Sequence, residues 1–233
     1  MTMRYKAIVF DAYGTLFDVQ GIDKTAESLF PGYGAEIAKI WREKQIEYTR
    51  LISLGDPDPS GSRYYDSFWN ITRQSLRYTL KRLGLTCGIE PEVKLMGQYS
   101  RLELYPSVKD VLASLRQLRI PLGILSNANH EMLLSAVHCA GISGQIQSLI
   151  SIDAVRHFKT SPLSYGLVLK HFPYSHNNIL FVSSNSWDIV GAGWYGFGTF
   201  WLNRHDHPIE TIGLPPTHVG KEFGDILKII QHH

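Results

Sequence analysis

The sequence is poor in several things, and each shortage narrows what the chain can be. It has only two cysteines in 233 residues, Cys87 and Cys139, too few for a disulfide framework. They are expected to be buried structural thiols in a reducing compartment. Charge of one sign is also scarce: Lys and Arg exceed Asp and Glu by only two. That balance gives no electrostatic case for nucleic acid, whose binders carry a clustered basic face. No apolar run approaches the roughly 20 residues a membrane span needs. The first apolar run, ending at Phe10, meets Asp11 too soon to serve as a signal peptide's apolar region. A cytoplasmic protein with no membrane partner is expected. There is no internal repeat or low-complexity tract, and His232 and His233 at the end are given no function.

What remains is ordinary globular material, 44% hydrophobic and 19% charged, long enough to bury a sizeable core. Five short apolar runs read as strands: Lys6–Phe10, Pro121–Leu125, Ser148–Ile150, Ile179–Val182 and Thr199–Leu202. Helical patterns at Val108–Leu118, Glu131–Cys139, Leu163–His171 and Ile189–Tyr195 separate them. This alternation predicts an α/β fold with a parallel sheet covered by helices on both faces. Strands buried on both sides read as continuous apolar runs, as these do.

The rhythm breaks between Gly21 and Gly97, where only helical patterns occur. Ala35–Leu54 carries Ile37, Trp41, Tyr48 and Leu51 at near-helical spacing. Tyr64–Leu83 carries Trp69, Leu76, Leu80 and Leu83, and a third helix is expected near Pro91. Gly55–Ser62 (GDPDPSGS) is a turn-rich connector. Inserted directly after the first strand, these helices are expected to cover its carboxyl end, where sites lie in open α/β sheets. The expected division is a core of residues 1–17 and 98–233 with a helical cap of residues 18–97.

Four short stretches carry chemistry. Asp11, in Phe10-Asp11-Ala12-Tyr13-Gly14-Thr15, follows a strand and is ionised at neutral pH, so it can attack carbon or phosphorus without a general base. A turn or capping Asp is the bland reading. Ser126 and Asn127 end another strand, as hydrogen-bond donors to an anion or as helix-capping residues. Lys159, six residues before Tyr165, is either a partner for a carboxylate or a solvated surface charge. In Ser183-Ser184-Asn185-Ser186-Trp187-Asp188 a strand delivers small polar groups and a helix start offers Asp188, which the helix dipole alone would favour.

Strand-Asp, strand-Ser, Lys, then strand-small residue-Asp is the four-motif order of the haloacid dehalogenase superfamily, which this chain resembles over nearly its whole length. Within it, the chain is most similar to the type II L-2-haloacid dehalogenases. FDAYGTLFDV, WREKQIEYTRL, ILSNAN, FKTSPLSYGLVL and FVSSNSWDIVGA carry the likeness. It implies a Rossmann-like core with an inserted helical cap. Most superfamily members are magnesium-dependent phosphatases, which need a second Asp where Tyr13 stands and carboxylates where Ser183 and Ser184 stand. Halide departure needs neither a proton nor a metal, so no metal or cofactor is expected.

The resemblance further implies a role for each site residue. Asp11 would displace halide from a short (S)-2-haloacid, forming an ester with inversion at C2. Water activated by Asp188, with Lys159 or Asn185, would then release the (R)-2-hydroxy acid. Thr15 and Lys159 would orient Asp11, and Tyr165 and Ser183 would orient the groups behind it. Ser126 and neighbouring main-chain N–H groups around Ala12 and Tyr13 would hold the substrate carboxylate. Arg42 and Asn127 would cradle the halide, with Trp187 walling its pocket. Glu43 is expected to face solvent. Members are often homodimers; the stripe of Tyr64–Leu83 would serve either that interface or the cap's own core. A phosphatase lacking its usual ligands, a hydrolase of fluoroacetate and a non-catalytic binder of small acids are the competing readings.

Overall fold

A computed structural model of the chain describes residues 4–19 and 21–231; the terminal His232 and His233 lie outside the described residues. Six parallel strands form one sheet: β1 (Ala7–Phe10), β2 (Leu122–Ser126), β3 (Ser148–Ser151), β4 (Ile179–Ser183), β5 (Gly198–Leu202) and β6 (His218–Gly220). Helices α1 (Gly21–Leu29), α2 (Gly34–Gly55), α3 (Phe68–Arg82) and α4 (Ile89–Gln98) follow β1 directly. The others, α5 (Val108–Gln117), α6 (His130–Cys139), α7 (Pro162–His171), α8 (Ser186–Tyr195) and α9 (Asp225–Gln231), alternate with the later strands.

The spatial strand order is β3-β2-β1-β4-β5-β6. The chain steps outward from β1 through β2 to β3, then returns to lay β4 on the other flank of β1. That reversal leaves a crevice at the carboxyl ends of β1 and β4, where Asp11 and Ser183-Ser184-Asn185 stand. β1, β2, β4 and β5 are buried throughout, so their apolar runs answer to helices on both faces.

The five expected strands form within a residue of their reading. β6 escaped it, being three residues at the sheet's edge and largely unburied, where no apolar run is required. Among the described residues between 21 and 97 there are four helices and no strand. α3 begins at Phe68 rather than near Tyr64 because Ser67 caps it, its hydroxyl accepting the Asn70 N–H at 3.2 Å. Pro91 falls in the first turn of α4. On α2 the buried stripe is Ile37, Ile40, Trp41, Gln45 and Thr49, while Leu51 is exposed. On α3, Phe68, Ile71, Leu76 and Leu80 are buried within the chain. Of the expected stripe, Leu76 and Leu80 are thus spent within the chain, while Trp69 and Leu83 are half-buried against the core.

The cysteines depart from expectation. Cys139 is exposed at the end of α6, where no packing demand conceals it, and Cys87, in the loop between α3 and α4, is half-buried against the core. No helix among the described residues is long and apolar enough to cross a membrane.

Candidate active site

The crevice between β1 and β4 is built around Asp11. Its backbone N–H donates to the Val182 carbonyl at 2.9 Å, extending the β1–β4 ladder by one residue and fixing where the side chain emerges. The next turn is tight: Gly14 has φ +86°, a left-handed conformation that glycine adopts without penalty. It brings Thr15 back so that its hydroxyl donates to Asp11 Oδ2 at 2.9 Å. Asn185 Nδ2 donates to the same oxygen at 2.9 Å and the Ser183 hydroxyl at 3.4 Å.

These hydroxyls are aimed rather than free. Thr15 Oγ1 accepts the Ser184 N–H at 2.9 Å, and Ser183 Oγ accepts the Asn185 N–H at 3.1 Å. With an acceptor lone pair on each hydroxyl engaged by a backbone donor, its proton is left for the carboxylate. Among the described residues, Asp11 Oδ1 meets only Lys159, whose Nζ lies 3.1 Å away and 2.9 Å from Asp188 Oδ2. Lys159 is buried, not the solvated surface charge of the bland reading. Burial alone would drive its proton off, but the carboxylates of Asp11 and Asp188 outweigh burial and hold it above the usual lysine value.

Asp188 is fully buried in the first turn of α8, so its placement is not a matter of helix dipole alone. Tyr165 donates to its Oδ1 at 2.7 Å. Burial pushes the Asp188 carboxyl up to about 6, with Lys159 pulling against it. Burial, then the Asp188 charge, lifts the Tyr165 phenol and keeps it a donor. Tyr165 reaches this position because Gly191 is on the facing helix: a Cβ there would lie 2.5 Å from the Tyr165 hydroxyl.

On the open side of Asp11 is a cavity of about 20 Å³, room for about one water. Tyr13, Arg42, Ser126, Asn127 and Trp187 line it, along with Ile46, Thr49 and Phe68. Ser126 and Asn127 are not the cap of α6, which is Asn129. Asn127 Oδ1 accepts the Lys159 N–H at 2.9 Å, which commits the oxygen and leaves the amide nitrogen to donate elsewhere. Ser126 Oγ accepts the Ala128 N–H at 3.1 Å. Ala12 is fully buried, its carbonyl gathering the N–H groups of Thr15, Leu16 and Phe17. The Tyr13 hydroxyl is buried without a partner among the described residues. Burial, with Tyr99 and Asp11 adding to it, raises its phenol far above the normal range.

The family model described as a haloacid dehalogenase-like hydrolase matches residues 5–196. The chain belongs to this family. It is 38% identical over 213 residues to haloacetate dehalogenase H-2 of Moraxella sp. (strain B), spanning 91% of this chain and 92% of the relative. Among solved structures, the L-2-haloacid dehalogenase RSc1362 superposes with a TM-score of 0.94 at 47% identity, over 97% of this chain and 99% of its own. The L-2-haloacid dehalogenase from Xanthobacter autotrophicus with chloropropionic acid covalently bound superposes at 0.87 and 34% identity, over 97% and 98%.

Several supports of this dehalogenase-like site were not legible in the motifs. Arg42 donates to Gln45 Oε1 at 2.8 Å, and the fully buried Gln45 donates to Thr72 Oγ1 at 2.7 Å. A chain of side chains across α2 and α3 thus aims the guanidinium; the i,i+3 spacing of Arg42 and Gln45 was its one sequence signal. Arg204 straps the first turn, donating to the carbonyls of Gly14 and Thr15 at 2.8 Å each. Ser184 adds a hydroxyl bond to the Gly14 carbonyl at 2.6 Å. Nothing near residue 204 in sequence announces that role. Glu43 is exposed, as expected.

Proposed function

We propose that the chain hydrolyses short (S)-2-haloacids to (R)-2-hydroxy acids and halide, without a metal, through an ester on Asp11. The asymmetry of the Asp11 carboxylate carries this reading: among the described residues, three side-chain donors meet Oδ2 and Lys159 alone meets Oδ1. Oδ1 keeps the more available lone pairs and attacks C2 from the side opposite the halogen. The C–O bond forms as the carbon–halogen bond breaks, inverting the centre and releasing halide with its electron pair. Arg42 and the Asn127 amide supply positive charge and a donor for the departing anion. Ser126 holds the substrate carboxylate, and Trp187 and Tyr13 wall the pocket.

Oδ2 becomes the ester carbonyl oxygen. Water then attacks Cγ of Asp11, and the negative charge that develops on Oδ2 falls where Thr15, Asn185 and Ser183 already point. Donors placed in advance cost no reorganisation during the reaction. Asp188, lifted toward neutrality by burial, takes the proton of the attacking water, with Lys159 bridging the two carboxylates. The tetrahedral intermediate then collapses: the Cγ–Oδ1 bond breaks, the product leaves with Oδ1 as its 2-hydroxyl oxygen and takes that proton from Asp188, and the water oxygen stays in the Asp11 carboxylate. The same residues argue against phosphoryl transfer: Tyr13 and Ser184 stand where a general acid and a metal-binding carboxylate would be needed. The helices of residues 18–97 act as the cap over a core formed by 1–17 and 98–233, in line with Arg42 on α2 reaching the Asp11 cavity.

A cytoplasmic homodimer is part of this reading. Support for the second copy comes from Ile89 and Val93 of α4, both exposed apolar side chains; sedimentation at micromolar concentration tests it.

Single-turnover hydrolysis of (S)-2-chloropropionate in ¹⁸O-water is the test of the mechanism. The label is expected in the Asp11 carboxylate first, with unlabelled 2-hydroxy acid released. Label entering the product directly in the first turnover would overturn the ester route.

A further inference from the structure

The cavity on Asp11 holds about one water, so a haloacid enters only if one of its walls moves. Just outside lies a groove of about 510 Å³ between the end of α2, the connector that follows it and the loop leading into α7. Arg50, Leu54, Pro57, His157, Lys159 and Leu163 are among its lining residues. Two of its residues reach the inner site. Lys159 touches Asp11. The Arg50 guanidinium sits 5.8 Å over the ring of Trp187, a wall of the inner cavity. Arg50 lines the groove and Trp187 the cavity, so this contact is where the two adjoin.

Charge gives that contact a task. Asp11, Asp188 and Lys159 together leave the catalytic cluster with one net negative charge when both carboxylates are ionised. An anionic haloacid must approach it. Arg42 offsets that charge from within, but lies on the cavity side of that contact. Arg50 is exposed and makes no ion pair among the described residues. The acidic groups of the adjacent connector are occupied: Arg63 holds Asp56 at 2.8 Å, and the N–H and hydroxyl of Ser60 hold Asp58.

We infer that this groove is the mouth of the active site and that Arg50 draws the substrate carboxylate into it, with Trp187 as the movable wall. This rests on the dehalogenase reading above. A rim charge acts on encounter and its salt dependence more than on the chemical step. The test is halide release from (S)-2-chloropropionate by the wild type, R50Q and R50K, at ionic strengths of about 0.01 M and about 1 M. At low salt R50Q is expected to lose about tenfold in kcat/KM, on the scale of electrostatic steering, the loss falling on KM. At high salt the loss should shrink below about twofold, and R50K should restore most of it at low salt. Loss of equal size at both salts, without rescue by R50K, would mean that Arg50 only packs Trp187 and would overturn the inference. So would an R50Q indistinguishable from wild type. A wild type that releases no halide would overturn the dehalogenase reading itself, and this inference with it.

Discussion

The two sides of Asp11 are built to different standards. On the sheet side the polar groups meet one another: Thr15, Ser183, Asn185, Lys159, Tyr165 and Asp188 form one continuous network through Asp11, buried except at the half-exposed Asn185. On the side facing the helices, the Arg42–Gln45–Thr72 chain makes no hydrogen bond to Asp11 among the described residues, the cavity is small, and the hydroxyl of Tyr13, which lines it, is buried without a partner among them. A satisfied polar network is rigid and specific, whereas an open one can adapt. The sheet side fixes the reacting carboxylate; the helical side is left to accept, orient and release what it reacts with.

Substitutions should divide along the same line. The largest effect is expected from Asp11→Asn: loss of halide release by at least about 10³-fold, with the thermal midpoint little changed, measured by ion chromatography and calorimetry. Residual activity within tenfold of wild type would make Asp11 a spectator. Lys159→Met should come next, leaving two buried carboxylates without a counter-charge. Breaking a buried pair this way costs about 3–5 kcal/mol, to be read from urea unfolding at pH 7, with activity also lost. A variant as stable as the wild type would mean that the network is not the rigid half.

Tyr165→Phe probes the same half more gently through pH. Asp188 acts as base only when ionised, so activity is expected above about pH 6 and falls as pH drops through that value. The Tyr165 hydroxyl donates to the carboxylate and so favours its charged form. Removing it raises the Asp188 value, and the acid limb of kcat should move to higher pH. A limb that stays in place, or moves down, breaks the assignment of Asp188. The smallest effect is expected on the helical side. Tyr13→Phe removes a hydroxyl with no partner among the described residues, so stability should hold or rise by about 1 kcal/mol. A fall larger than that in urea unfolding would show the hydroxyl to be partnered, and the contrast between the two sides would shrink.

How much of this could be read from the chain follows from where each group sits. Asp11, Ser126, Ser183 and Asp188 were legible because each lies at or just beyond the end of an apolar run, and a parallel sheet brings such ends together at one edge. The helical insertion was legible in its period. β6 and α9 were not, being short elements whose exposed edges put little demand on residue type. Cys139 misled for a related reason: residue type favours burial, but its position at the end of α6 does not.

Sequence by itself determined the α/β alternation, the inserted helices and the four places where chemistry could be housed, since these follow from local period and from residues adjacent in the chain. Only the tertiary structure decided that Lys159 lies between Asp11 and Asp188, 148 and 29 residues distant in sequence. It alone turned the hydroxyls of Thr15 and Ser183 toward one oxygen, strung Arg42 to Gln45 and Thr72, and set Arg50 over Trp187. The physical reason is that a hydrogen bond or an ion pair depends on tenths of an ångström between distant segments. Those distances are set by how the helices pack on the sheet, which no local pattern encodes.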